Sequence, residues 1–246
     1  MYFGSFFVTF GLMKQANQLN FSKSMLTIPI LYILVIWMLY FIEIKFGYNF
    51  NKYGVYPRDF KGLRGVFLTH FIHSNTAHLF NNSIPLFVLL LSVFMFYKEV
   101  ALKVLAYGAL LTGSLTWIIA RESYHIGASG VVYLLFSFVF FSGLLKKHFR
   151  LVAVSLIVIF LYGSMIWYVL PIKDGMSWEG HLSGFVVGLV FAFLYKNKGI
   201  QKIEPYFEET AFDLLFDENG NYAPPNSAED LNVDVKSQLL TKRCES

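Results

Sequence analysis

Six long apolar runs, separated by short polar segments, organise this chain: 27–44, 79–97, 101–120, 127–145, 151–170 and 179–195. Each is close to the ~20 residues that a helix needs to cross a hydrocarbon core of ~30 Å. In hydrocarbon no water is available to the backbone, so every such run must satisfy its own N–H and C=O groups, which helix does. The pattern predicts an all-α polytopic membrane protein, a bundle of six transmembrane helices over 27–195. A cytoplasmic segment, 1–26, is expected before the bundle and a tail, 196–246, after it. The first connection, about 45–78, is the longest and has room to fold on itself.

The opening stretch, MYFGSFFVTFGLM, is apolar but too short to span, and it lacks the positively charged beginning of a secretory signal. Met13, followed by KQANQLNFSK, reads as the more ordinary start.

Cationic residues set the orientation, because short cytoplasmic loops are enriched in them. Lys14 and Lys23 precede the first run, and Lys98 and Lys103 flank the second connection. Lys146, Lys147 and Arg150 fill the fourth connection, and Lys196, Lys198 and Lys202 follow the sixth run. The third and fifth connections hold only Arg121 and Lys173. Both termini are thereby expected in the cytoplasm, as in a multi-pass protein of a bacterial inner membrane. The first connection departs from the trend with Lys52, Arg58, Lys61 and Arg64, and the bias weakens in longer segments.

Composition agrees with a chain partly dissolved in lipid. Of its 246 residues 56% are hydrophobic and 15% charged, where a soluble domain carries about a quarter charged. Phe alone accounts for 27 positions, which suits lipid-facing helix surfaces. The net charge of +4 lies at the junctions between runs, with no basic patch outside them, so nucleic acid is not an expected partner. The one cysteine, Cys244, excludes an intrachain disulfide. From about 204 the chain turns acidic, with Pro-Pro and Asn-Gly turn signals, and a flexible extension is expected there.

Ionisable and polar groups inside membrane helices are costly and mark function by default. Here they gather at the starts of three runs. The second opens with His73-Ser74-Asn75-Thr76-Ala77-His78-Leu79-Phe80-Asn81-Asn82, the fourth with His125-Ile126-Gly127-Ala128-Ser129-Gly130, and the sixth with Glu179-Gly180-His181-Leu182-Ser183-Gly184. With odd connections outside, all three starts face the external side at one depth. A serine needs an adjacent base to attack at neutral pH, and His181 is the base at the depth of Ser129. An anionic intermediate needs donors, which the free N–H groups at a helix start supply. His78 and Asn82, spaced i,i+4, share a face and can donate to the same oxygen. Gly184-x-x-x-Gly188 lets another helix approach closely. Gly127, Ala128 and Gly130 remove bulk around Ser129, and Tyr133, one turn on, can pack against the imidazole.

Gly127-Ala128-Ser129-Gly130-Val131-Val132-Tyr133 resembles the GxSG motif of rhomboid intramembrane proteases with its following tyrosine. Gly180-His181-Leu182-Ser183-Gly184-Phe185-Val186-Val187-Gly188 is similar to the last-helix motif of that family, and His73, His78 and Asn82 match its His-x4-His-x3-Asn spacing. The resemblance implies a serine endopeptidase with a Ser129–His181 dyad and no carboxylate. It also implies an oxyanion hole from the Ser129 amide, His78 and Asn82, and transmembrane proteins cut near their outer ends, without cofactor or metal. In the first connection the family often has Trp-Arg, where this chain has Leu63-Arg64-Gly65, so no role passes to Arg64.

Plainer readings stand beside these. Gly-x-Ser-Gly alone is a common packing motif. A catalytically silent rhomboid-like protein that binds membrane clients would generally lack the serine or the histidine, and both are here. A transporter or channel would place its polar groups near the midplane. His70 and His73 read as structural histidines, since no His-Glu-x-x-His or carboxylate cluster accompanies them. His125 reads as a solvated loop residue, and Glu179 as facing water or an arginine.

Overall fold

The computed structural model describes residues 24–162, 167–171, 175–201, 215–216 and 220–222, in two units, Met1–Lys202 and Ile203–Ser246. Expectations for residues 1–23 and for most of the tail lie outside the described residues. In the second unit Phe216 and Tyr222 form an isolated antiparallel bridge with their rings edge to face.

The first unit is helical, with no strand among its described residues. Its α-helices are α1 (Ser24–Phe46), α2 (Gly65–Leu68), α3 (Thr76–Phe96), α4 (Ala101–Ile119), α5 (Ser129–Leu145), α6 (Phe149–Tyr162) and α7 (Trp178–Leu194). A helix stands on each of the six apolar runs. Among the described residues, α1, α3 and α4 have the length and hydropathy to cross a bilayer on their own dimensions. α5 and α7 have 17 residues each, at 1.5 Å per residue shorter than the hydrocarbon core. Within the run at 151–170, α6 is followed by a 3-10 helix at Trp167–Val169.

α5 is the central helix, in contact with α3, α4, α6 and α7. It is apolar all round, as a helix buried on every side must be, and Val131, Leu134, Leu135, Phe138 and Val139 are fully enclosed. Phe94, Phe136 and Phe191 are buried too, so the phenylalanines serve the core as well as the lipid-facing surface where Phe41 and Phe160 stand. α7 lies closest to α5, and glycine makes this possible. A side-chain carbon at Gly184 would overlap the carbonyl oxygen of Gly130, and one at Gly188 the carbonyl oxygen of Leu134. Close backbone approach between small residues is what holds membrane helices together when hydrocarbon surrounds them. Ser137 adds a hydrogen bond across the seam, donating to the carbonyl of Phe185 at 2.7 Å. Other buried hydroxyls, Ser83, Thr116, Ser155 and Ser183, donate to the carbonyl four residues back and so remain satisfied.

The first connection does fold on itself, through α2 and 3-10 turns at Asn51–Tyr53, Phe60–Arg64 and Thr69–Phe71. It is fastened to α4 by Trp117, whose indole donates to Asp59, and by Arg58, which donates to the Ala120 carbonyl at 2.7 Å. His70 donates from Nε2 to the Ala109 carbonyl at 2.9 Å. Arg64 lies over the Tyr53 ring, 4.6 Å from its centroid. At the opposite end the chain after α7 returns to the bundle: Ile200 donates to the Phe96 carbonyl, and the buried Lys146 donates to the carbonyls of Lys198 and Ile200 above the Tyr97 ring.

Burial pushes His70 down to about 4, against a smaller opposing effect of its bonds to backbone carbonyls. Burial also pushes His73 down to about 3, helped by the neighbouring His78. The unfolded chain binds these protons near pH 6.5 and the folded chain does not. Their contribution to stability is therefore complete above about pH 6.5 and is lost progressively as pH falls toward the folded-state values. For His70 alone the loss at pH 5 is about 2 kcal/mol. The thermal midpoint in detergent micelles is expected to drop between pH 7.5 and 5, with His70→Gln flattening the slope. A slope that His70→Gln leaves intact would refute this assignment.

Candidate active site

Three helix starts converge at one end of the bundle. Asn75 begins α3 as an N-cap, its side-chain oxygen accepting from the His78 amide at 2.8 Å. That cap places His78 in the first turn and Asn82 one turn deeper on the same side. α5 begins at Ser129, two residues after Gly127, whose φ of +114° is open to glycine but strained for other residues. A side-chain carbon at Gly127 would come within 2.7 Å of His78 Nε2 and 3.7 Å of Asn82 Nδ2. Gly127 thus holds open the space between those two side chains and the first amides of α5. His73 lies beneath, accepting from the Ala128 amide at 3.3 Å.

Ser129 Oγ is 2.9 Å from His181 Nε2. His181 Nδ1 is 2.8 Å from the carbonyl oxygen of Tyr168. A carbonyl can only accept, so Nδ1 carries the proton, and Nε2 presents its lone pair to the serine hydroxyl. The Tyr133 ring stacks on the imidazole, with centroids 4.4 Å apart and planes inclined by 15°. One bond, one stack and the close α5–α7 seam fix the ring in position. His181 is buried apart from a small opening, at 6% exposure.

Asn82 is 7% exposed, and its Nδ2 donor has no partner among the described residues. His78 Nδ1 is 3.2 Å from Ser74 Oγ. When the serine hydroxyl donates there, the proton of His78 sits on Nε2, facing Gly127. The Ser129 amide occupies the first turn of α5, where the helix provides no acceptor. His78 Nε2 and Asn82 Nδ2 thus border the space at Gly127, two residues ahead of the Ser129 amide. No group of three or more His, Cys, Asp or Glu side chains suited to a metal occurs among the described residues.

All nine residues singled out from the sequence fall in this region or in the seam that supports it: Ser129, His181, His78, Asn82, Tyr133, Gly127, Gly130, Gly184 and Gly188. One expectation needs correction. His125 is not a solvated loop residue, because at 4% exposure it lies between Ser177 and the Arg121 carbonyl. Of the two neighbours expected for Glu179, water or an arginine, the structure has the arginine: Glu179 is 2% exposed and pairs with Arg121 at 3.3 Å. An acidic side chain in the first turn of α7 is favoured by the helix dipole, and the arginine supplies a counter-charge. Tyr168 went unseen in the sequence, since its carbonyl rather than its side chain does the work.

The model of the Rhomboid domain matches residues 61–198. An uncharacterised protein of Mycobacterium bovis is 30% identical over 174 residues, which is 66% of this chain and 72% of that protein. One from Mycobacterium tuberculosis matches to the same extent. A Mycobacterium leprae protein is 31% identical over 141 residues, 54% of this chain and 56% of its own length. With its apolar helices and a domain match covering more than half its length, this chain is a multi-pass membrane protein of the rhomboid family.

Proposed function

We propose that this chain is an intramembrane serine endopeptidase that cuts transmembrane segments of other membrane proteins near the external face. The observation that carries the reading is the 2.9 Å contact between Ser129 Oγ and His181 Nε2, with the imidazole tautomer set by the Tyr168 carbonyl. In the proposed enzyme a substrate segment enters from the lipid and unwinds at the level of the three helix starts. Ser129 attacks the exposed carbonyl carbon as its proton passes to His181 Nε2. The resulting oxyanion takes hydrogen bonds from the Ser129 amide, His78 Nε2 and Asn82 Nδ2. His181 then protonates the leaving amine, and water hydrolyses the acyl-enzyme by the same route in reverse.

The unpartnered Asn82 donor supports this reading. A buried donor without an acceptor costs roughly 1–3 kcal/mol, and an acceptor that forms only during reaction accounts for it. The proposed protease core is the six-helix unit 27–195, extended by the strap that returns to Phe96. The segment 1–26 and the tail from 196 are proposed as flanking cytoplasmic extensions, with the serine end of the bundle outside. In α5 and α7 a shortened span suits a site that must admit water.

A fluorophosphonate probe tests the assignment on the purified, reconstituted protein. Mass spectrometry is expected to find the probe on Ser129, and cleavage of a co-reconstituted single-span substrate is expected to fall in proportion to label occupancy. Cleavage that persists at full occupancy would overturn the proposal.

A further inference from the structure

We infer that Arg121, His125, Ser177 and Glu179 form a positioning latch that sets the Ser129–His181 geometry from outside the pair, an inference that rests on the protease reading. The loop 121–128 carries Gly127 and leads into Ser129, yet it has no helix or strand of its own to shape it. Side-chain bonds to the start of α7, where His181 stands, supply that shape. Arg121 Nη1 pairs with Glu179 Oε1 at 3.3 Å, the Arg121 amide donates to the same oxygen at 3.3 Å, and Nη2 donates to the Met176 carbonyl at 2.6 Å. His125 donates from Nε2 to the Arg121 carbonyl at 2.9 Å, so its Nδ1 accepts from the Ser177 hydroxyl at 2.6 Å.

The His125 backbone extends the junction to the first connection. It exchanges two hydrogen bonds with Val55, at 2.8 and 3.0 Å, and its carbonyl accepts from Thr69 Oγ1 at 2.6 Å. The Gly127 amide then donates to the Thr69 carbonyl at 2.9 Å. One histidine thus fastens three segments just ahead of the serine. Ser177 is the N-cap residue of α7 but does not cap with its side chain, which is committed to His125 instead. Capping is the favoured use of serine at that position, so the exchange points to a demand from the loop.

Ser177 and His125 repeat the pattern of Ser129 and His181, an imidazole held by a carbonyl and bonded to a hydroxyl. They do not make a second nucleophilic site. Glu179, two residues from Ser177 and 2% exposed, acts electrostatically on His125, and a buried negative charge beside that pair opposes the formation of an oxyanion. The four residues position the reacting pair and do not touch the reacting atoms.

The test compares reconstituted wild type with Ser177→Ala, Ser177→Thr and Glu179→Gln, each first checked for an intact thermal transition. Ser177→Ala and Glu179→Gln are expected to lower kcat about ten- to a hundredfold, the range for a misplacement near 1 Å, with KM within about twofold of wild type. Fluorophosphonate labelling of Ser129, read without substrate, is expected to slow by the same factor, and Ser177→Thr to restore both. Wild-type kcat in Ser177→Ala, a loss confined to KM, no rescue by threonine, or label on Ser177 would each overturn the latch while leaving the protease reading in place. A wild-type protein that neither cleaves nor takes label at Ser129 would overturn both.

Discussion

Ser129→Ala and His181→Ala are each expected to reduce cleavage of a co-reconstituted transmembrane substrate by about 10⁴-fold or more, with the double variant no worse than either alone. The hydroxyl and the imidazole act as a unit: without Nε2 the serine keeps its proton, and without Oγ the base has nothing to activate. Non-additivity is therefore the sharper half of the expectation. Two residues that merely packed against each other would give modest and roughly separable effects. The measurement is single-turnover cleavage in proteoliposomes, with the oxyanion donors left intact in every variant. Cleavage by Ser129→Ala within tenfold of wild type would end the protease assignment, because Ser129 is the serine bonded to the His181 ring among the described residues.

The second large effect is expected from one methyl group. Gly184→Ala puts a carbon into the space of the Gly130 carbonyl oxygen, where backbone faces backbone and no flexible side chain can yield. The α5–α7 seam must open by an ångström or so, at a cost of about 1–3 kcal/mol in stability. His181 lies one turn away on α7, so the same displacement lengthens its reach to Ser129 and is expected to lower kcat about a hundredfold. Val190→Ala, on the exposed side of α7, serves as the control and is expected to leave cleavage unchanged. Thermal melts in micelles and cleavage in liposomes check both halves. A Gly184→Ala protein with wild-type activity would show that the seam does not set the geometry of the pair.

Residues proposed to act through their own side chains were legible in the sequence. Ser129, His181, His78 and Asn82 stand at the starts of alternate apolar runs, and the topology of such runs places alternate starts at one end. Gly184 and Gly188 declared the close seam by their spacing, and Tyr133 its stack by standing one turn beyond Ser129. The Tyr168 carbonyl could not be read, because every residue carries a carbonyl and only the fold selects this one. His125 was misread for a related reason. It lies in a connection, where solvent is the ordinary neighbour, and its burial follows from Ser177 meeting it from a segment more than fifty residues away.

The imidazole of His181 is aimed by an amide oxygen and not by an acid. An amide neither gains nor loses a proton in the range where proteins stay folded, so the aim of the ring is indifferent to acidity. Acid acts on the pair through the ring itself: once Nε2 carries a proton it has no lone pair left to take the one on the serine hydroxyl, while the carbonyl that aims Nδ1 is unchanged.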